Sequence, residues 1–315
     1  MWHRNIRSST RLGGLLVLSS LAAPAHAASV VAGSMPWWFW PLALFVACFL
    51  MGVVAVPAGI GGGTLFVPIV SGFFPFHLDF VRGAGTLVAL ASALAAGPLL
   101  LRSGLANLRL ALPLALMASI GSIAGASMGM ALPPHVIETS LGLVVLSIVA
   151  LMLTAQRSEF PQVASSDRWA LALGLHGTFV DGATGRSLDW RVHRTPAAMA
   201  VFVLIGLMGG LFGIGAGWAN VPALNLLMGA PLKDAAGTSS VVLSLSSSSA
   251  AWVYINRGAV LPIIAVPSVL GMMLGALVGA RLLHVLNATV IRRLVIVVLL
   301  FAGARSLLKG TGLWA

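Results

Sequence analysis

The chain has 315 residues, of which 59% are hydrophobic and only 8% charged, with a mean hydropathy of +1.02. A water-exposed domain carries about 25% charged residues, so a soluble globular protein is excluded and a polytopic membrane protein is implied. The net charge of +11 does not point to nucleic acid, because the basic residues are scattered through short connections between apolar runs rather than gathered on one face.

The first residues carry Arg4, Arg7 and Arg11, then an apolar stretch over 12–23, then Ala25-His26-Ala27. A basic start, a short apolar core and an A-x-A end predict a secretory signal over 1–28, or else an uncleaved anchor helix. Either one leaves Ser29 outside the cytoplasm. Apolar runs follow at 37–57, 64–76, 85–101, 108–132 and 136–154, and again at 197–212, 218–230, 236–255, 259–283 and 288–308. Eight are long enough for a hydrocarbon core of about 30 Å, and two are short for it. Cys48 lies within the first run, which predicts a buried packing residue and no disulfide.

The short runs follow two glycine clusters, GIGGGTLFVP at 59–68 and GIGAGWANVP at 213–222. Each glycine costs a helix about 1 kcal/mol relative to alanine, so both clusters predict helix breaks. Gly59, Gly61, Gly63 and Pro68 recur 154 positions later as Gly213, Gly215, Gly217 and Pro222. The same offset relates Gly104 to Gly258, Pro113 to Pro267, Gly121 to Gly275 and Gly125 to Gly279. In between, the register shifts to 152, where Gly85-Thr86 matches Gly237-Thr238. These matches predict an internal duplication, with a first membrane repeat over 37–154 and a second over 197–309.

Charge sets the orientation. With five crossings per half, Arg102, Arg109, Arg157, Arg168, Arg186, Arg191, Arg194, Lys233, Arg281, Arg292 and Arg293 face the cytoplasm, against Arg82, Arg257, Arg305 and Lys309 outside. An odd number makes the halves inverted repeats, the plan of secondary transporters whose substrate sits between repeats at mid-membrane. The expected fold is thus an all-α polytopic membrane protein of two inverted repeats, about eight full spans plus two short half-helices. The intervening polar segment, 155–195, is expected in the cytoplasm, with a β-hairpin around Asp181-Gly-Ala-Thr-Gly185.

Irregular backbone survives within a bilayer only where protein or a water-filled cavity satisfies it, and a new helix N-terminus offers amides to an anion. The candidate binding set is therefore Gly59, Gly61, Gly62, Gly63, Thr64 and Pro68 with Gly213, Gly215, Gly217, Trp218, Asn220 and Pro222. Thr86 and Thr238 join it from the following helices, as do Ser240 and Ser244 from the hydroxyl-rich run GTSSVVLSLSSSS at 237–249. In that run Ser240, Ser244, Ser247 and Ser248 share one helical stripe, and Ser239, Ser246 and Ser249 lie mostly elsewhere. The competing reading is that such hydroxyls bond back to their own helix. The four-residue glycine spacings at 121/125 and 275/279 read as close helix packing. Asp79, Arg82, Lys233 and Asp234 read as solvated boundary charges, and any of them found buried would be an anion-attracting or proton-coupling group.

The paired motifs, GIGGGTLFVPIV and GLFGIGAGWANVPALNLLMGAPLKDAAGTSS, resemble those of the sulfite exporter TauE/SafE family of membrane permeases, with Ala216 where that pattern usually has glycine. The resemblance covers about 42–309 and implies secondary transport of small, sulfur-containing anions such as sulfite or organosulfonates across a bacterial inner membrane. The partners so implied are a small anion and the lipid bilayer, with H+ as an admissible coupling ion and a homo-oligomer admissible. An anion channel, or a membrane subunit docking a partner through 155–195, are the alternatives. No catalytic motif or P-loop is present, so no enzyme activity, cofactor, metal or nucleic-acid partner is expected.

Overall fold

The computed structural model describes residues 36–58, 61–102, 104, 106–154, 166–180, 187–215, 217–282 and 288–312. The signal-like segment, Gly59, the turn at 181–185 and Ala216 lie outside them. Residues Ala43–Ala315 form one compact unit, and the other, Met1–Leu42, is described from residue 36.

The same succession of elements occurs twice. In the first half α1 (Phe39–Ala58) leads into the glycine cluster, then α2 (Gly62–Phe73), α3 (Leu78–Arg102), α4 (Leu108–Ala131) and α5 (Pro134–Thr154). A short helix α6 (Arg168–Ala172) and an antiparallel hairpin, β1 (His176–Val180) with β2 (Ser187–Arg191), follow. The second half repeats the plan with α7 (Thr195–Phe212), the second cluster, α8 (Gly217–Pro222), α9 (Leu232–Asn256), α10 (Pro262–Leu282) and α11 (Ala288–Gly310). Helices α3, α4, α5, α7 and α10 are each long and apolar enough to cross a membrane. Large apolar side chains such as Leu116, Ile120, Leu143, Val297 and Phe301 are exposed on the outside of the bundle, the arrangement of a protein solvated by lipid. The protein is an all-α polytopic membrane protein, with one hairpin among the described residues.

Helices α3 and α9 begin seven and four residues before the apolar runs suggested. Their first turns hold Asp79 and Asp234, and an acidic residue there is favoured by the helix dipole.

Glycines set how the halves interlock. The Cα atoms of Gly121 and Gly125 on α4 lie against the carbonyls of Val203 and Leu207 on α7, while Gly275 and Gly279 on α10 lie against those of Phe49 and Val53 on α1. Each contact maps onto its counterpart by the same 154-residue offset. Along both pairs the register advances in the same direction, so α4 runs parallel to α7 and α1 parallel to α10. No side chain larger than hydrogen fits at these points, which allows backbones to approach as lipid-buried helices require. Helices α5 and α11 pack against one another at the edge, joined by Lys309 Nζ to Glu138 Oε1 at 2.8 Å.

The hairpin docks onto one end of the bundle. Trp190, Val192, Leu175 and Ala170 are buried in the same cluster as Leu110, Phe202 and Met228. Asp167 caps two helices at once, accepting from Ala170 N (2.9 Å) of α6 and from Thr195 N and Oγ1 (both 2.8 Å) of α7. Desolvation pushes this carboxyl upward, but the hydrogen bonds from Thr195 and Ala170 prevail and hold it below its ordinary value of 3.8.

Candidate functional site at the junction of the two breaks

Both glycine clusters interrupt their helices, and the interruptions meet. A Cβ placed on Gly217 would stand 2.9 Å from the amide nitrogen of Gly61, and one on Gly63 would stand 2.6 Å from the carbonyl oxygen of Ile214. Thr64 Oγ1 donates to that same Ile214 carbonyl at 3.4 Å. Leu243, at the middle of α9, touches Gly61, Gly215 and Gly217 together. The two breaks thus form a single junction between the halves, at the depth of the helix centres.

The backbone differs between them. Gly61 takes an extended conformation (φ −56°, ψ 145°) before α2 starts. Gly213 and Gly215 both sit at φ 69°, in the left-handed region that only glycine enters cheaply. After α8 the chain widens into a π-helical turn over Ala223–Leu227, directly behind Pro222, whose missing N–H cannot sustain the α-helical ladder. Pro68, the matching residue, lies inside an unbroken α2.

Several polar groups at the junction already have partners. The Gly62 amide donates to Ser92 Oγ (3.2 Å), and the Thr64 amide donates to the Gly61 carbonyl (3.0 Å). Thr86 Oγ1 donates to Gly83 O at 2.8 Å, Thr238 Oγ1 accepts from Asn107 N at 3.1 Å, and Ser240 and Ser244 donate to Ala236 O and Val241 O of their own helix. Other groups are buried without a partner: the indole N–H of Trp218, both ends of the Asn220 amide, and the Ser247 hydroxyl. Asn220 is 0% exposed, so leaving both its amide atoms unpaired carries the full desolvation penalty of each.

Beside the junction lies a cavity of about 10 Å³, room for roughly one water. Thr86, Ser122, Ser246, Ser247 and Ala250 line it, with glycines of the last turns of α7 and Gly215. It is built from α3 and α4 of the first half and α7 and α9 of the second. Ser246 and Ser247 lie here; Ser240 and Ser244, on the half-exposed side of α9, do not line it.

Arg82 departs from the expected solvated charge. It is 1% exposed, and its Nη1 donates to Asp79 Oδ1 (3.0 Å) and to the Gly129 carbonyl (3.1 Å), its Nη2 to the Leu211 carbonyl. Its guanidinium stands 5.5 Å over the ring of Tyr254, whose hydroxyl donates to the Gly210 carbonyl at 2.8 Å. The last carbonyls of α7, left without intrahelical donors where the helix stops, attract these two groups. Asp234, which occupies the place of Arg82 in the second half, is also buried, at 4% exposure. Burial of both charges lay beyond the reach of hydropathy, because each sits near the start of a long helix and distant elements cover it, as the carbonyls of Gly129 and Leu211 do Arg82.

Comparison with known proteins agrees with this architecture. A family model described as Sulfite exporter TauE/SafE matches residues 44–306. The chain belongs to the sulfite exporter TauE/SafE family. It is 28% identical to "Probable membrane transporter protein ORF9" of Sinorhizobium sp over 272 residues, covering 85% of this chain and 92% of that one. It is 25% identical to "Probable membrane transporter protein YunE" of Bacillus subtilis (strain 168) over 275 residues, 85% of this chain and 97% of the relative. No solved structure matches. The family match takes in both breaks and the cavity, which makes the protein a multi-pass membrane transporter with a small-molecule substrate. No group of histidine, cysteine, aspartate or glutamate side chains able to hold a metal occurs among the described residues.

Proposed function

We propose that this TauE/SafE protein is a secondary carrier of small, sulfur-containing anions such as sulfite or organosulfonates. The observation that carries the reading is the direct meeting of the two breaks at Gly61 and Gly217. The parallel pairings of α4 with α7 and of α1 with α10 support an inverted relation between the halves, in which one repeat rocks against the other about this junction.

The anion is held at the junction by neutral donors. The Trp218 indole and Asn220 amide have no protein partner to give up, and the Gly62 amide exchanges a single bond to Ser92 Oγ. Gly61, Gly63, Gly213, Gly215 and Gly217 keep side chains out of the space, and Thr64, Pro68 and Pro222 shape the segments that leave it. Neutral dipoles stabilise a desolvated negative charge while allowing its release, as transport requires. The chain sits in a bacterial inner membrane with 155–195 on the cytoplasmic side, so a reporter fused at Asp181 reads cytoplasmic.

Uptake into proteoliposomes tests the reading, with labelled sulfite, methanesulfonate and acetate under imposed gradients. Saturable entry of at least one sulfur anion is expected, abolished by Gly217→Leu, whose side chain would occupy the Gly61 contact. Failure of all three anions to move under any gradient ends the proposal.

A further inference from the structure

We propose that α6 and the arginines around it form a seat for anionic phospholipid headgroups, which holds the hairpin end against the surface of the bilayer that the bundle spans. The inference does not depend on what is transported.

Helix α7 fixes the depth. Its 18 residues, Thr195–Phe212, rise about 27 Å, close to the thickness of a hydrocarbon core, so Thr195 stands at the membrane boundary. Asp167 ties α6 to that residue, because one carboxylate accepts from Ala170 N at 2.9 Å and from Thr195 N and Oγ1 at 2.8 Å. The start of α4 lies at the same level, since Leu110 shares the buried cluster of Ala170 and Leu175.

At this depth α6 turns large apolar side chains outward. Ala170 is buried, while Trp169 is 59% exposed, Leu171 69% and Leu173 43%. Trp169 and Leu173, four residues apart, share one side of the helix. Facing water, each would leave apolar area hydrated at about 25 cal/mol per Å². At headgroup level an indole and a leucine are favoured instead.

Charge selects the kind of lipid. Arg168 and Arg194 bracket the Asp167 cap, one beside each helix start that it holds, and both are exposed, as are Arg109 and Arg191. Guanidinium forks match phosphate oxygens in pairs. Nearby carboxylates do not cancel them: Asp167 is engaged at the caps, Asp234 is buried, and counting Asp189 of β2 against four arginines still leaves the surface positive. Two cations at the opposite end, Arg82 and Lys309, are instead paired with Asp79 and Glu138. Apolar side chains beside such arginines describe an interfacial element drawn to an anionic surface. A protein partner would first have to displace headgroups from that depth.

The test places the purified full-length protein in nanodiscs of phosphatidylcholine alone or mixed with phosphatidylglycerol. A polarity-sensitive dye on Leu173→Cys reports the environment, with the buried Cys48 of the unsubstituted protein as the labelling control. Phosphatidylglycerol should shift the emission to the blue, shield the dye from acrylamide, and lose much of both effects in high salt. Arg168→Gln with Arg194→Gln should weaken the apparent phosphatidylglycerol response about thirtyfold, on the scale of two basic residues at an anionic surface. Arg168→Lys with Arg194→Lys keeps the charge and should retain most of the response, which separates charge from misfolding. The thermal midpoint of the unlabelled protein should also rise with phosphatidylglycerol and rise less in the glutamine pair. Equal acrylamide access in both lipids overturns the proposal, as does a full response in the glutamine pair. A dye shielded only on adding a soluble protein also overturns it, and gives the surface to a protein partner.

Discussion

The two glycine breaks share one sequence pattern yet are held in different ways. At the first, Gly61 is extended, α2 runs on without irregularity past Pro68, and the contacts across the junction are Thr64 Oγ1 on the Ile214 carbonyl, Gly63 against Ile214, and Gly61 against Gly217 and Leu243. At the second, two left-handed glycines turn the chain, a π-helical turn follows Pro222, and Arg82 with Tyr254 clamps the carbonyls of Gly210 and Leu211. The opposite charges buried at matching places, Arg82 and Asp234, extend the difference. The matched sequence pattern gives both breaks a common frame, and the surrounding side chains hold each one differently.

Removing the clamp should have the largest effect. Arg82→Met deprives the ends of α7 and α4 of charged donors and leaves Asp79 without its partner, a loss of roughly 3 kcal/mol. Thermal unfolding in detergent reads it, and an unchanged midpoint would mean that the clamp is not what fixes the second break.

The glycines themselves sharpen the contrast. Gly215→Ala forces a side chain into φ 69° with Ala89 Cβ at 2.8 Å, a cost of about 1–3 kcal/mol. Gly61→Ala has no such backbone penalty and meets chiefly the end of Leu243 at 2.9 Å, so less than about 1 kcal/mol is expected. Equal losses of stability in the two variants would erase the proposed asymmetry.

The smallest effect belongs to the hairpin end, which should be tied to the second half rather than to the junction. Asp167→Ala removes the shared cap of α6 and α7 for about 1 kcal/mol, with anion transport retained. Because this carboxyl ionises below its ordinary value when folded, its contribution is present above about pH 3.8 and is lost as the pH falls through the folded value. Acid titration followed by tryptophan fluorescence of the wild type and the variant separates that contribution from the rest.

Much of this was open to reading in one dimension. The five-segment plan, its repetition at an offset of 154, the two helix breaks and the close-packing glycines all rest on glycine, proline and apolar runs. These impose local backbone rules wherever they occur, so their positions in the chain already carry the information. Arg82, Tyr254, Ser122 and Ser247 carried a weaker signal or none. Whether a polar atom is buried, and whether it has a partner, depends on which distant helix lies opposite. Ser240 and Ser247 share one helical stripe, yet the first bonds back to its own helix and the second faces the cavity, because α3, α4 and α7 cover only the second. Local chemistry thus determined the frame, and contact between distant helices decided which polar groups within it are buried without a partner.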